Sequence, residues 1–130
     1  MEQGARAFER SAREAFGFLA EKGFQAGPSR GLGTSFPALS WLGRQRGFSL
    51  SYDARDGSAT LCVLDAGAVR RASEGEPARG RDVWALLVER SGWRRGLPGA
   101  DPADPVSQVR AWADLLAGPA AFLLADEPLE

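Results

Sequence analysis

The stretch FSLSYDARDGSATLCVL, residues 48–64, decides the fold that the sequence predicts. Polar and apolar residues alternate on both sides of Asp56-Gly57, a dipeptide that favours a two-residue type I′ hairpin turn. A turn there pairs Ser51 with Cys62 on one face and puts the apolar residues on the other: Phe48, Leu50, Tyr52, Leu61 and Val63. Because turn chemistry and alternation agree on one register, the stretch predicts a half-buried antiparallel hairpin.

Helical patterns lie on both sides of the hairpin. Residues 5–22 repeat apolar side chains at three- and four-residue spacings, and Gly23 is placed to end that helix. Asp104-Pro105 is a typical N-cap and first-turn pair, which predicts a final helix that Gly118-Pro119 breaks. Residues 82–92 begin with a capping aspartate, which favours a helix, although their short apolar run leaves a buried strand open.

Three further segments are assigned by composition. A strand is predicted within residues 34–42, at a sheet edge, because Pro37 cannot donate to a ladder. Residues 25–33 hold three glycines but lack the lysine of a phosphate-binding loop, so they are predicted to be a connector. Residues 66–81 carry no period and are predicted to be a long loop, within which Val69 is a candidate to extend the sheet.

The order of these segments predicts a single α+β domain over residues 1–130. Its antiparallel meander of three to four strands carries the N-terminal helix and two C-terminal helices, all packed on one face. Residues 126–130 are expected to form a mobile acidic tail. A lone cysteine, a charged N-terminal stretch and the lack of any run of ~18 apolar residues together predict a cytoplasmic protein without a membrane partner.

Histidine is absent from the 130 residues, and this narrows the chemistry available to the chain. Its absence excludes Ser-His-Asp and Cys-His catalysis and histidine-ligated zinc, and a single cysteine excludes thiolate clusters. Since no carboxylate motif replaces them, we expect no enzyme activity, no metal and no cofactor. Tyr52 is interpreted as a core-edge residue and Cys62 as a small buried apolar residue.

Charge is distributed unevenly along the chain. Up to Arg95 there are 15 basic and 11 acidic residues, a net charge of +4, whereas the remainder has 1 basic and 6 acidic residues, a net charge of −5. The basic residues are 15 arginines and one lysine, which indicates a GC-rich genome. A charge-steered protein partner fits this asymmetry, and the candidate contact residues are Arg44, Arg46, Arg55, Trp93, Arg94 and Arg95.

Three stretches carry a resemblance to known proteins: FGFLAEKGF at 16–24, the hairpin at 48–64, and VRAWADLLAGPAAFLLAD at 109–126. Their overall plan resembles that of small bacterial α+β proteins of the immunity type, which are the partners of toxins. The resemblance implies a non-enzymatic protein that binds another protein. It implies no individual catalytic or binding residue.

The residues leave two other functions open beside this protein-interaction module. One is a small-molecule-binding or weakly catalytic domain with a candidate pocket between sheet and helices near Tyr52. The other is nucleic-acid binding through the arginines, against which the net charge of −1 argues. Homo-oligomerisation through an exposed edge of so small a sheet also stays open.

Overall fold

A computed structural model describes residues 2–31, 34, 36–53, 55, 57–76, 80–91, 104–118 and 120–125. Their elements, in chain order, are α1 (Glu2–Ala15), a 3₁₀ helix (Gly17–Lys22), β1 (Gln25–Ala26), β2 (Ala38–Leu42), β3 (Gly47–Asp53), β4 (Ser58–Leu64), α2 (Ala66–Ser73), β5 (Arg81–Asp82), α3 (Val83–Ser91), α4 (Pro105–Ala117) and a second 3₁₀ helix (Ala121–Leu124). The five strands form one antiparallel sheet in the order β1-β2-β3-β4-β5. The α+β class is therefore confirmed.

The central hairpin forms, but the predicted register is wrong by two residues. Tyr52 pairs with Ala59 and Leu50 with Leu61, so a four-residue loop replaces the two-residue turn. The carboxylate of Asp53 accepts the backbone N–H of Arg55 at 2.9 Å, and this bond starts the turn earlier than the Asp-Gly pair would. Because the shift equals the side-chain period of a strand, the predicted faces are kept. Asp56 lies outside the described residues.

The first face of the sheet carries the main core. Apolar side chains of α1, α3 and α4 pack there against Leu50, Leu61 and Val63. The helix predicted over 5–22 is divided: α1 ends at Ala15 and a 3₁₀ helix continues to Lys22. Gly17 disfavours the α-helix at this point. Because a 3₁₀ helix has about three residues per turn, Phe16 and Leu19 lie on the same side of it, and both are buried.

The predicted capping residues Gly23, Asp82 and Asp104 take those roles in the structure, whereas the first helix begins at Glu2 rather than at residue 5. Gly23 ends the first 3₁₀ helix in a left-handed conformation, with φ at 93°. Asp82 accepts the N–H of Trp84 at 2.8 Å, so the segment that was open between helix and strand is a helix. Asp104 accepts the N–H of Val106 at 3.0 Å and starts α4, which ends at Ala117.

Helix α4 also closes the outer edge of β4. The N–H of Ala59 donates to Oε1 of Gln108 at 2.8 Å, and Nε2 of Gln108 donates to the carbonyl of Gly57 at 2.6 Å. Nε1 of Trp112 donates to the carbonyl of Ala59 at 2.9 Å. These side chains occupy backbone groups that an unpaired strand would offer to another chain. This part of the edge is therefore closed to the homo-oligomer considered above.

The second face of the sheet carries α2, which corrects two predictions. Residues 66–81 are not one long loop, because Asp65 accepts the N–H of Ala68 at 2.8 Å and caps a helix there. Val69 lies in that helix and packs against Leu64, on the face opposite the other helices. The three predicted helices, α1, α3 and α4, share the first face as expected, and α2 is an additional helix on the other face.

Two short strands explain why the sheet has five strands rather than three or four. Residues 25–26 pair with Trp41 and Leu42, so β2 is not the edge strand that Pro37 was taken to indicate. Residues 81–82 pair with β4 on the far side. A two-residue strand is too short to show the alternation of apolar and polar residues that identifies a longer strand, so the sequence does not predict either of them.

Candidate functional site

Tyr52 lies in the core and not in a pocket. It is 6% exposed, and its ring stacks on that of Phe8 with 5.2 Å between centroids and 19° between planes. It lines none of the three cavities described below. The pocket predicted near Tyr52 is therefore replaced there by packed aromatic side chains.

Two of the predicted arginine contacts, Arg44 and Arg55, lie far apart in the structure. Arg44 lies on the β2–β3 loop and Arg55 on the β3–β4 loop, and both are exposed. These loops are at opposite ends of the seven-residue strand β3, which separates them by about 20 Å. Arg55 lies 3.5 Å from the carboxylate of Asp53 in an exposed ion pair. Two such distant side chains cannot form one compact contact patch.

Arg46, predicted to be a contact residue at the loop tip, is only 7% exposed. Its Nη1 donates to the carbonyl of Leu123 at 3.1 Å, which connects the β2–β3 loop to the C-terminal 3₁₀ helix. Its position is thus structural, which corrects the exposed placement that the sequence suggested. Trp93, Arg94 and Arg95 lie outside the described residues, so their role stays a prediction.

The largest of the three cavities is a cleft on the second face of the sheet, with a volume of about 510 Å³. Helix α2 covers only one end of this face, around Leu42 and Leu64. No other described residue covers the rest of this face, which lies between the C-terminal end of α2 and the lining residues Pro28, Arg30, Gly31 and Phe36. The side chains that line the cleft floor are small and polar: Ser40, Ser49, Ser51 and Cys62.

The register of the strands arranges the cleft floor. Ser40 pairs with Ser49, and Ser49 pairs with Cys62, so three polar side chains form a row across β2, β3 and β4. Ser51 lies two residues further along β3 on the same face. The hydroxyl of Ser40 donates to the carbonyl of Pro28 at 3.3 Å. Within the described part of the chain, the hydroxyls of Ser49 and Ser51 make no hydrogen bond.

Cys62 holds its proton at the cleft floor. Burial raises the pKa of its thiol to about 11, and the negative charge of Asp82, its cross-strand neighbour, acts in the same direction. A thiol is a poor nucleophile until it ionises. At neutral pH this cysteine therefore acts as a neutral polar group.

The walls and mouth of the cleft combine apolar groups with one charge of each sign. Phe36, which is 51% exposed, supplies apolar surface, whereas Leu64 and Ala72 are buried where α2 meets the sheet. At the mouth, Nη1 of Arg30 reaches the carbonyl of Gly75, next to Glu76, at 3.5 Å. Among the described lining residues, the floor carries hydroxyls and a protonated thiol, and the charged side chains are Arg30 and Glu76.

Two smaller cavities differ from the cleft in their lining. One, of about 260 Å³, lies between the first 3₁₀ helix and β2, lined by small residues, three aromatic side chains and Arg13. The other, of about 310 Å³, lies between α1 and α4. Neither brings together hydrogen-bonding groups on a sheet face as the large cleft does.

The serines of the cleft were not among the sequence-predicted site residues. Their signal was present, because Ser49 and Ser51 alternate with apolar residues in FSLSYD and must share the face opposite the core. The pattern does not show whether such a face meets solvent, a helix or a ligand. That depends on α2, whose residues have the composition of a loop and show no helical period.

The described residues include no group of three or more Cys, Asp or Glu side chains that could hold a metal ion. Among the helices in those same ranges, none has the length and apolar character needed to cross a membrane. No family model matches the chain, and no curated protein or solved structure is significantly similar to it.

Proposed function

We propose that this protein acts by binding another protein, as the immunity-type proteins that it resembles do, and that the cleft receives part of that partner. The observation that carries the proposal is the open cleft with a half-exposed aromatic ring, Phe36, at its wall. Aromatic side chains are enriched where protein surfaces meet. Hydroxyls that bond to no other described group are also ready to bond to a partner.

The chemistry of the cleft supports binding rather than catalysis. Its thiol is protonated at neutral pH, and the chain has no histidine that could take up that proton. The charged lining residues are Arg30 and Glu76, both exposed at the mouth. Serine hydroxyls without a neighbouring base are weak nucleophiles. The cleft therefore offers recognition without an activated reacting group.

A second candidate is the binding of a small molecule in the same cleft. The volume of about 510 Å³ favours it, because small-ligand sites measure roughly 300–1,000 Å³. Nucleic-acid binding gains no such support, since the described lining residues of the cleft include one cation, Arg30, beside one anion, Glu76.

The test compares the wild-type protein with a variant whose cleft is filled. Ser49→Trp places an indole on the cleft floor, and Ala85→Trp adds the same side chain at an exposed position of α3, on the other side of the sheet. Tagged forms of all three proteins are used for affinity capture from the source organism, and circular dichroism verifies their folding.

We expect one protein to be captured by the wild type and by Ala85→Trp, and to be depleted at least about tenfold with Ser49→Trp, which corresponds to about 1.4 kcal/mol of binding free energy. Equal capture by all three forms would contradict the proposal. A small molecule retained by the wild type and Ala85→Trp in native mass spectrometry, with no protein captured, would establish the second candidate instead.

A further inference from the structure

We propose that the groove between α1 and α4 binds a free α-amino acid as its zwitterion. The groove belongs to the helices on the first face of the sheet, so the proposal is independent of the cleft on the second face. Its volume of about 310 Å³ lies at the small end of the range of roughly 300–1,000 Å³ for small-ligand sites. Three charged side chains, one hydroxyl and two alanines line it: Glu14, Arg110, Asp114, Ser11, Ala15 and Ala113.

Ser11 is the buried polar group of the groove. It is only 8% exposed, and its hydroxyl makes no hydrogen bond to any residue in the described ranges. A buried hydroxyl without a partner costs stability until it bonds to water or to a ligand. Ser11 therefore offers the groove both a donor and an acceptor.

The charged side chains of the groove are available as well. Glu14, Arg110 and Asp114 are exposed, and none forms an ion pair or a hydrogen bond within the part of the chain that the structure describes. On a helix, an acid four residues before a base pairs better than the reverse order. Glu9 precedes Arg13 and the two pair at 3.3 Å, whereas Arg110 precedes Asp114. The order of residues thus leaves these charges for a ligand.

Helices α1 and α4 run in the same direction along the sheet. In α1, Phe8 stacks on Tyr52 beside the β3–β4 loop, and Phe16 stacks nearer the β2–β3 loop, on Trp41. In α4, Gln108 bonds to β4 beside the β3–β4 loop, and the residues that follow the helix bond to the β2–β3 loop. Both helices therefore begin at the β3–β4 loop and end towards the β2–β3 loop.

This shared direction arranges the groove in two levels. Ser11 lies about one turn before Glu14 on α1, and Arg110 lies about one turn before Asp114 on α4. The hydroxyl and the guanidinium therefore lie at one level, and the two carboxylates lie at the next, about 5–6 Å further along.

The two levels favour opposite charges. Glu14 and Asp114 lie in the last turns of their helices, where the partial negative charge of the helix C-terminus adds to theirs and favours a cation. Arg110 can bind a carboxylate through two parallel hydrogen bonds, and Ser11 can donate another. A simple cation would be repelled by Arg110, and a simple anion by the two carboxylates. An α-amino acid carries an ammonium and a carboxylate on one carbon, so it supplies the matching charge to each level.

The test compares L-alanine with two relatives that each keep one of its charges: N-acetyl-L-alanine, an anion, and L-alaninamide, a cation. Each is titrated into the full-length protein at about pH 6.5, where an α-amino group is protonated, while ¹H–¹⁵N NMR follows the backbone amides. We expect L-alanine to shift the signals of Ser11, Glu14, Arg110 and Asp114, and to bind at least about tenfold more tightly than either relative.

Two variants and a matched control assign the charges. Arg110→Gln should weaken L-alanine binding at least about tenfold without weakening that of L-alaninamide, because the lost guanidinium binds only the carboxylate. Ser11→Ala should weaken L-alanine binding several-fold. Arg10→Gln makes the same change as the first variant at an exposed position of α1 that does not line the groove, and it should leave binding unchanged.

Three results would overturn the proposal. The first is that L-alanine shifts none of the groove signals, and the second is that either relative binds the wild type as tightly as L-alanine does. The third is equal binding of L-alanine by Arg110→Gln and Arg10→Gln. The comparison of the three molecules uses the wild-type protein alone, so it decides the question even where a variant fails to fold.

Discussion

The closed edge of β4 gives the sharpest prediction about stability. Gln108→Leu keeps a side chain of similar shape and removes both hydrogen bonds of the amide, to the N–H of Ala59 and the carbonyl of Gly57. Ala59 is buried, so its N–H stays unsatisfied at a cost of about 1–3 kcal/mol. Gly57 is half-buried, so its carbonyl can bond to water instead, and losing its bond to Gln108 adds little to the loss of stability. We therefore expect the free energy of unfolding to fall by about 1–3 kcal/mol.

Urea denaturation followed by circular dichroism measures this loss, and hydrogen exchange localises it to the amide of Ala59. The matched control is Gln25→Leu, the same chemical change at an exposed position of β1, which should stay within about 0.5 kcal/mol of the wild type. A similarly small effect of Gln108→Leu, or an Ala59 amide that stays protected in that variant, would refute the account of the edge.

Three further predictions concern single side chains. Burial raises the pKa of Cys62 from 9.0 to about 11, so between these pH values the folded protein keeps a proton that the unfolded chain loses. The free energy of unfolding, measured by urea denaturation, should therefore fall as pH rises from 9 to 11, and more steeply in the wild type than in Cys62→Ala. The same pH dependence in both proteins would contradict this. A Cβ at Gly80 would lie 2.5 Å from a backbone oxygen of β4, so Gly80→Ala should cost about 1–3 kcal/mol in thermal unfolding, whereas Gly17→Ala, with nothing within 4 Å, should cost none. Arg46→Met removes a buried hydrogen bond to the C-terminal 3₁₀ helix and should lower the free energy of unfolding by about 1–3 kcal/mol. The exposed control Arg10→Met should lower it by less than about 0.5 kcal/mol, and equal losses in the two variants would show that Arg46 is not structural.

Local chemistry made much of the fold predictable. The caps at Asp82 and Asp104 depend on bonds within two residues, and both were found from sequence. The apolar face of the hairpin was also found, because alternation survives a two-residue shift. The register was not found, because it depends on how the carboxylate of Asp53 bonds to the N–H of Arg55.

Features that depend on distant contacts escaped prediction. Helix α2 has eight residues, and its buried side chains pack against Leu64 on a face that local periodicity does not identify. The sequence around Arg46 is typical of an exposed loop, but its side chain donates a hydrogen bond to the carbonyl of Leu123, 77 residues further along the chain. The cleft is bounded by α2 and by Pro28, Arg30 and Phe36, which are distant from it in sequence, so the polar serines were visible in the sequence and their shared site was not.

The central claim, that the partner occupies the cleft, is tested most directly at Cys62. This is the only cysteine in the sequence, so alkylation by N-ethylmaleimide reports on the cleft floor alone. The rate is measured by mass spectrometry at pH 8, on the wild-type protein by itself and in complex with the captured partner. The account predicts that alkylation slows at least about tenfold in the complex, because the partner covers the thiol. An unchanged rate in a fully formed complex would show that the partner binds elsewhere.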